Sequence, residues 1–157
     1  VLIENGVLKS YLVDILGSRL MNHPVTGSGR RQDYTYAPTS RMTNTFFAEG
    51  NDDEEAMLAT MGDGLFAAKM GGGSVNPLTG EFNFAVLEGY WVKNGKILCP
   101  VRGATLIGKG SDVLIKIDRI GRRMWMGQGM CGSVSGSIPT NVGQPMIRVS
   151  SLTVGGR

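Results

Sequence analysis

The 157-residue chain has 41% hydrophobic and 18% charged residues, a composition typical of globular proteins that argues against disorder. Sixteen basic and thirteen acidic residues give a net charge of +3, and the scattered positive residues have no interleaved aromatics, so nucleic-acid binding is not favoured. No apolar run reaches the roughly 18 residues that a membrane span needs, and no signal peptide is recognisable, so we expect no membrane contact.

The N-terminal part of the chain predicts a hairpin, a long loop, a strand and a helix. Asn5–Gly6 lies between two apolar runs and predicts a β-hairpin over the first fourteen residues, because a type I′ turn needs two positive φ angles. The stretch that follows, rich in Gly, Ser and Pro, predicts a long loop. Residues 41–50 are β-prone, and the clearest helix is predicted within residues 51–70, with Asn51 as its N-cap.

The C-terminal part predicts more strands and one further helix. The triplet Gly71–Gly73 precedes a strand–turn–strand run, in which PLTG is the first turn and Asn94–Gly95 forms a second hairpin turn. A short helix is predicted over Ser111–Gly121, and the closing PMIRVSSLTVGG is strand-like. The predicted fold class is therefore α+β, a β-rich single domain over residues 1–157 with hairpins and two short helices.

Two features describe the setting of this domain. The two cysteines, Cys99 and Cys131, are too few for a disulfide framework, so a reducing, cytoplasmic setting is expected. The chain begins without methionine on the apolar run VLIENGVL, which predicts that it is a piece of a longer protein.

No complete catalytic motif is present in the sequence. The single histidine, His23, is interpreted as a solvated loop residue, and one histidine with one cysteine cannot form a zinc site of three or four protein ligands. The stretch GGGSVNPLTG lacks the Lys-Ser/Thr end of a phosphate-binding loop. The acidic residues 52–55 are explained by the favourable charge at the start of a helix.

The two cysteines have different interpretations. Cys99, within KILCPV, is predicted to be a strand residue packed in the core. Cys131 lies in GMCGSVSGSIPTNVGQP, a stretch of turn-forming residues, which favours presentation of the thiol over packing. The residues alone allow two functions for Cys131: a metal ligand or reactive thiol, or an unremarkable turn cysteine.

Seven stretches occur together and in a characteristic order: VLIENGVLKSYLVD, GSGRR, RMTNT, GGGSVNPLTGEFNF, PVRGATLIGKG, GMCG and GQPMIRVSSLTVGG. Over essentially the whole chain they resemble the C-terminal domain of the TldD/PmbA family, metallopeptidases once named modulators of DNA gyrase. The GMCG and GQP stretches are more similar to the TldD-type subunit, which carries the metal, than to its PmbA-type partner. The residues themselves offer no support for a link to gyrase.

The resemblance implies a zinc site that two domains share. In TldD-type proteins an upstream HExxxH motif supplies two histidine ligands and a glutamate base, and a C-terminal cysteine completes the site; Cys131 falls in that cysteine's stretch. HExxxH is absent here, so the chain is expected to be inactive alone and to act within a metallopeptidase that cleaves unfolded peptides. The N-terminal domain of the same protein and a PmbA-type subunit are the implied partners.

An unfolded peptide substrate can be held by backbone hydrogen bonds along an exposed strand edge, where glycine permits close approach. The candidate substrate-binding residues are Gly71, Gly72, Gly73, Arg41, Asn44 and Thr45. Each group has a structural alternative, a bulge or tight turn for the glycines and ordinary strand polarity for RMTNT.

Two other functions compete with the metallopeptidase. The chain could be a non-catalytic peptide-binding or assembly module, like the PmbA-type partner, with Cys131 incidental; an upstream HExxxH motif distinguishes the two. It could also be a thiol hydrolase with Cys131 as nucleophile, which requires that alkylation and not chelation abolishes activity.

Overall fold

The computed structural model describes residues 1–156, in which strands predominate and confirm the β-rich α+β class. The helices are α1 (Ile15–Met21), α2 (Glu54–Ala59) and α3 (Gly110–Leu114). The strands are β1 (Ile3–Glu4), β2 (Val7–Leu8), β3 (Gly29–Arg30), β4 (Thr39–Ser40), β5 (Gly64–Val75), β6 (Glu81–Lys93), β7 (Lys96–Val101), β8 (Thr105–Lys109), β9 (Ile117–Ser133), β10 (Gly136–Val149) and β11 (Thr153–Gly155). None of these three helices has the length and apolarity that crossing a membrane requires.

The chain divides into two compact units. The first consists of residues 1–48 and 124–144, and contains α1 and the short β1–β2 and β3–β4 hairpins. The second consists of residues 49–123 and the C-terminal residues from 145 onwards. Strands β9 and β10 pair with each other, and their residues 124–144 belong to the first unit while the others belong to the second.

The second unit is built on a five-stranded sheet with β6 at its centre. Strand β6 pairs antiparallel with β5 along one edge and with β7 and β8 along the other, and β11 adds to the free edge of β8. Val92 of β6 is completely buried, and Met57 of α2 is also buried in this unit. The alternation of exposed and half-buried residues along β6 is the period of two that a sheet imposes on side chains.

Both predicted Asn-Gly hairpin turns are confirmed. Asn5 and Gly6 have φ angles of 51° and 76°, and Asn94 and Gly95 have φ angles of 50° and 72°. These positive angles are the ones that a type I′ turn requires, which is why the dipeptide predicts the turn from local sequence alone. The turn predicted at PLTG is also present, between β5 and β6.

The prediction of two helices was wrong, because the described residues contain three. Helix α1 lies at the start of the stretch that was predicted to be a long loop, although its own capping residues signal a helix. The Asp14 carboxylate accepts a hydrogen bond from the Gly17 amide at 2.6 Å, which is an N-cap contact. Asn22 ends the helix in the left-handed conformation, with φ 51°.

The two predicted helices are present but shorter than predicted. Helix α2 is capped by Asp53, whose carboxylate accepts from the Ala56 amide at 3.1 Å, and not by Asn51. Helix α3 ends at Leu114, because residues from Ile117 onwards enter β9, where their β-branched side chains are favoured.

Two further predictions were wrong. Residues 41–50 form no strand, because after Arg41 donates its amide to the Ser28 carbonyl at 3.0 Å no ladder continues along this segment. Cys99 lies in a strand as predicted, but its side chain is exposed and not in the core. Strand β7 pairs with β6 alone, and residues 96–100 are all exposed, so neither face of this strand is covered within residues 1–156.

Candidate functional site

Cys131 lies in strand β9 and not in a turn, so that prediction was wrong. Strand β9 continues through the glycine-rich stretch to Ser133 because it pairs with β10, and the tight turn is confined to Val134 and Ser135. Glycine is compatible with a strand where another backbone approaches closely. The half-buried thiol of Cys131 is therefore held on a regular strand, two residues before its end.

Two arginine side chains converge on Cys131. The Nη2 atom of Arg30, on β3, donates to the Cys131 sulfur at 2.9 Å and to the Cys131 carbonyl oxygen at 3.1 Å. The Nη2 atom of Arg41, which follows β4, donates to the Gly132 carbonyl at 3.1 Å and to the same sulfur at 3.7 Å. The sulfur therefore accepts from two guanidinium groups that two paired strands bring together.

The guanidinium of Arg30 is buried with unpaired donors, which lowers the stability of the folded state. The residue is only 7% exposed, and its Nε and Nη1 atoms have no hydrogen-bond partner among residues 1–156. The Nε atom of Arg41 is buried without a partner in the same part of the structure. Within those residues neither arginine has a carboxylate within ion-pair distance. The sulfur of Cys131 is thus the one group that these two guanidiniums share.

The β3–β4 hairpin is tied to the tip of the β9–β10 hairpin by hydrogen bonds. Gln32 donates its amide to the Ser135 carbonyl at 2.8 Å, and its side-chain oxygen accepts from the Ser137 amide at 2.9 Å. The Thr39 hydroxyl donates to the completely buried Ser135 hydroxyl at 3.2 Å. These contacts hold Arg30 against Cys131. The sequence interpretation did not assign Arg30, although it lies in the GSGRR stretch that carried part of the resemblance.

An open cleft of about 480 Å³ lies along β9, and its lining includes Met130, the residue before Cys131. The residues that line it are Asn44, Gln128, Gly129, Met130, Pro139, Thr140 and Asn141. The side-chain oxygen of Asn44 accepts from the backbone amide of Asn141 at 2.9 Å, which attaches the 41–50 segment to β10. Side-chain amides both donate and accept hydrogen bonds, so this lining is chemically suited to a peptide backbone.

The predicted substrate-binding residues fall in both units. Arg41 and Asn44 lie in the same unit as Cys131, one at the sulfur and the other at the cleft. Thr45 is exposed. The glycine triplet lies in the other unit, on β5.

The glycine triplet contains a bulge, which is the structural role that the sequence analysis gave as the alternative to substrate binding. The register between β5 and β6 shifts between Met70 and Gly73. A Cβ at Gly73 would collide with the Asn83 carbonyl oxygen, so glycine is required there for close backbone approach. Gly72 differs, because it is exposed and a Cβ there would meet no atom within 4 Å. The bulge therefore explains Gly73 and leaves Gly72 open to solvent on an edge strand.

The residues that the structure describes could supply part of the ligand set of a metal ion, but not all of it. Residues 1–156 contain no group of three or more His, Cys, Asp or Glu residues that could hold a metal. The sulfur of Cys131 is a suitable soft ligand for zinc, and its arginine contacts resemble the hydrogen bonds that orient metal ligands. His23 lies in the loop after α1, where its Nδ1 atom contacts the Pro24 carbonyl at 2.8 Å and its ring meets Tyr11 edge-on at 5.7 Å.

Comparison with known protein families assigns the chain to one family over nearly its whole length. A family model described as the PmbA/TldA metallopeptidase C-terminal domain matches residues 1–156. The chain belongs to the PmbA/TldD family, as the order of its motifs indicated.

The relatives of this chain bear metalloprotease names. It is 45% identical over 158 aligned residues to a Buchnera aphidicola protein named metalloprotease TldD homolog, covering 99% of this chain and 33% of that protein. It is 32% identical to a Saccharolobus solfataricus protein named zinc metalloprotease TldD homolog, covering 99% of this chain and 35% of that protein. The chain thus spans about a third of the length of the curated relatives it matches.

Solved structures share the fold. A Thermotoga maritima protein that carries the name modulator of a DNA gyrase has a TM-score of 0.76 and 27% identity, over 98% of this chain and 32% of that chain. TldE from Thermococcus kodakarensis has a TM-score of 0.78 over 99% of this chain and 33% of that chain, at 17% identity. The second likeness concerns the fold alone.

Proposed function

We propose that this chain is the C-terminal part of a zinc metallopeptidase that cleaves unfolded peptides, and that it supplies Cys131 as one zinc ligand. The observation that carries the proposal is the position of the Cys131 sulfur, which two guanidiniums hold on a strand whose preceding residues, 128–130, line an open cleft. The metalloprotease names of relatives that match 99% of the chain support the same class of activity.

The chemistry divides between this chain and the rest of the protein. When bound, zinc supplies Lewis acidity that activates water for attack on a peptide carbonyl. Within this chain, Cys131 would hold the metal through its sulfur, and Arg30 and Arg41 would keep that sulfur in place. The remaining ligands and the general base are proposed to come from an upstream HExxxH motif, so the isolated chain is proposed to be inactive.

Two surfaces of this chain are proposed to bind the substrate. The cleft beside Met130 offers the side chains of Asn44, Gln128 and Asn141 for hydrogen bonds to an extended peptide. The edge strand β5 offers a second surface, where Gly72 leaves room for another backbone to approach. Recognition through the backbone would explain how unfolded peptides of different sequence are accepted.

The partners follow from the same proposal. The N-terminal domain of the same protein would complete the zinc site, and a PmbA-type subunit would join it in a heterodimer. The shared fold of TldE from Thermococcus kodakarensis is compatible with two subunits built on one fold. A cytoplasmic location is proposed from the use of a reduced cysteine as ligand.

The first prediction tests the ligand. In the full-length protein that contains this chain, Cys131→Ser should lose the bound zinc, because a neutral hydroxyl replaces the sulfur ligand, and peptidase activity should fall with it. The measurement is zinc per chain by elemental analysis, alongside hydrolysis of an unfolded peptide. Cys99→Ser is the matched control, since Cys99 is exposed on β7, and it should keep both zinc and activity.

Equal zinc content in Cys131→Ser and the wild type would refute the ligand assignment. The non-catalytic peptide-binding or assembly module would then be the better account of this chain. Loss of activity on alkylation with zinc retained and chelators without effect would instead support a thiol hydrolase.

A further inference from the structure

The hydrogen bonds around Cys131 leave part of the sulfur available. The Cys131 sulfur accepts one N–H from Arg30 at 2.9 Å and one from Arg41 at 3.7 Å, and as a zinc ligand it would be a thiolate with three lone pairs. Two directions are thus taken by donors, and one remains for a metal. The Arg30 Nη2 atom also binds the carbonyl of Cys131, so its two hydrogens hold the side chain and the backbone of one residue.

This arrangement is unfavourable for stability considered alone. An arginine that is only 7% exposed should have its donors paired, because an unpaired buried polar group costs free energy. Two of the three nitrogens of Arg30 lack partners among residues 1–156, and no carboxylate there forms an ion pair with it. Its placement is therefore better explained by what it does to Cys131 than by a gain in stability.

We infer that Arg30 and Arg41 are positioning residues for the Cys131 sulfur, and that Arg30 has the larger effect. The inference rests on the proposed role of Cys131 as a zinc ligand. Arg30 is the stronger of the two because its distance to the sulfur is shorter and its side chain is the more deeply buried. Groups that hydrogen-bond to metal ligands typically change metal affinity by about 10–100-fold when they are removed.

The test uses the full-length protein and two readouts that do not depend on activity. Zinc affinity is measured by competition with a chelator, and the sulfur-to-metal charge-transfer band is recorded after substitution with Co²⁺. Arg30→Met should weaken zinc binding by about 10–100-fold and should shift or weaken the band. Arg41→Met should do the same to a smaller extent. Arg30→Lys should recover part of the affinity, because an ammonium donates but lacks the planar fork.

Arg31→Met is the matched control, since Arg31 is the exposed neighbour of Arg30, and both readouts should stay at wild-type values. A merely structural role for Arg30 would lower the melting temperature and leave affinity and spectrum unchanged, and that result would overturn the inference. If Arg30→Met does not fold, the test rests on Arg41→Met. Unchanged zinc affinity and an unchanged Co²⁺ spectrum in Arg41→Met would also overturn the inference.

The two proposals fail in different ways. If Cys131→Ser keeps zinc, the proposed function is wrong. The positioning role then fails with it, because Cys131 is not a zinc ligand for Arg30 and Arg41 to position. If Cys131→Ser loses zinc while the folded arginine variants keep wild-type affinity and spectrum, the proposed function stands and the positioning role alone is wrong.

Discussion

At the scale of single residues, one buried carboxylate is used to hold two segments of the second unit together. Glu54 is only 7% exposed, and its carboxylate accepts from the Arg123 amide at 2.8 Å and from the Arg123 Nε atom at 3.2 Å. Burial acts to raise the pKa of Glu54, but hydrogen bonds from its own amide and from Arg123 outweigh burial and hold the pKa below 4.5.

This lowered pKa makes a pH-dependent prediction. Because the folded state favours the ionised carboxylate, Glu54 stabilises the fold at pH values above about 4.5, and this contribution is lost as the pH falls through the lower folded-state pKa. Glu54→Gln should therefore lower the melting temperature of the full-length protein by a few degrees at pH 7. The difference from the wild type should shrink below about pH 4.5.

The control for this prediction is Glu55→Gln, since Glu55 is the exposed neighbour in the same helix turn. It should leave the melting temperature close to that of the wild type at both pH values. A loss in Glu54→Gln that stays constant with pH would mean that the packing of the side chain matters, and not its charge.

At the scale of elements, the edge of β5 is where a peptide could add to the sheet. Strand β5 ends the strand order of the five-stranded sheet, and its bulge at Gly73 places the neighbouring Gly72 in open space. Edge strands expose unpaired backbone groups that another strand can use. This edge belongs to the second unit and the cleft along β9 to the first, and mutations can test each of them by itself.

Gly72→Val should raise the KM for an unfolded peptide several-fold in the assembled enzyme, with zinc content and kcat unchanged. The valine side chain has room in the folded chain, so the fold should tolerate it, but it would keep a substrate backbone at a greater distance. The measurement is steady-state kinetics with metal analysis of the same sample.

Gly73→Val gives the contrasting result, because its side chain would collide with the Asn83 carbonyl oxygen. It should lower the melting temperature and not act selectively on KM. Unchanged kinetics in Gly72→Val would remove the β5 edge from the substrate-binding surface.

At the scale of the whole molecule, the chain buries few apolar side chains. Within residues 1–156 the buried apolar residues other than glycine are Val13, Met57, Val92, Ala104 and Pro145. Large apolar side chains remain exposed on the sheet, among them Leu87 at 66% and Leu98 at 65%. Exposed apolar side chains on a sheet are typical of a surface that another part of a protein covers. Since the chain spans about a third of its relatives' length, we expect further protein to cover the β7 side of the sheet.

This expectation predicts opposite effects of one substitution in two contexts. Leu98→Lys should increase the solubility of the isolated chain, because a charge replaces an exposed apolar side chain. In the full-length protein it should lower the melting temperature by about 4 °C or more, since burying an unpaired charge costs free energy. Thermal unfolding and sedimentation at matched concentrations provide the two measurements.

Leu78→Lys is the control, because Leu78 is 94% exposed at the turn between β5 and β6. It should not lower the melting temperature of the full-length protein. If Leu98→Lys also leaves that temperature unchanged, the β7 side of the sheet stays open to solvent in the complete protein.

The sequence by itself determined the features that depend on neighbouring residues. The Asn-Gly pairs predicted both hairpin turns, because positive φ angles restrict which residues a turn accepts. The order of seven motifs predicted the family, and the excess of strand-forming segments predicted the β-rich class. The helix capped by Asp14 was within reach of the same local reasoning and was missed.

The tertiary structure alone decided the surroundings of Cys131. Its sulfur meets Arg30 across 101 residues of chain, and no local pattern specifies a contact of that separation. The pairing of β9 with β10 also keeps the glycine-rich stretch in a strand, although its glycines favoured a turn. The exposure of Cys99 depends on which elements cover β7. Local propensities describe neighbours in sequence, whereas burial and side-chain contacts are set by the path of the whole chain.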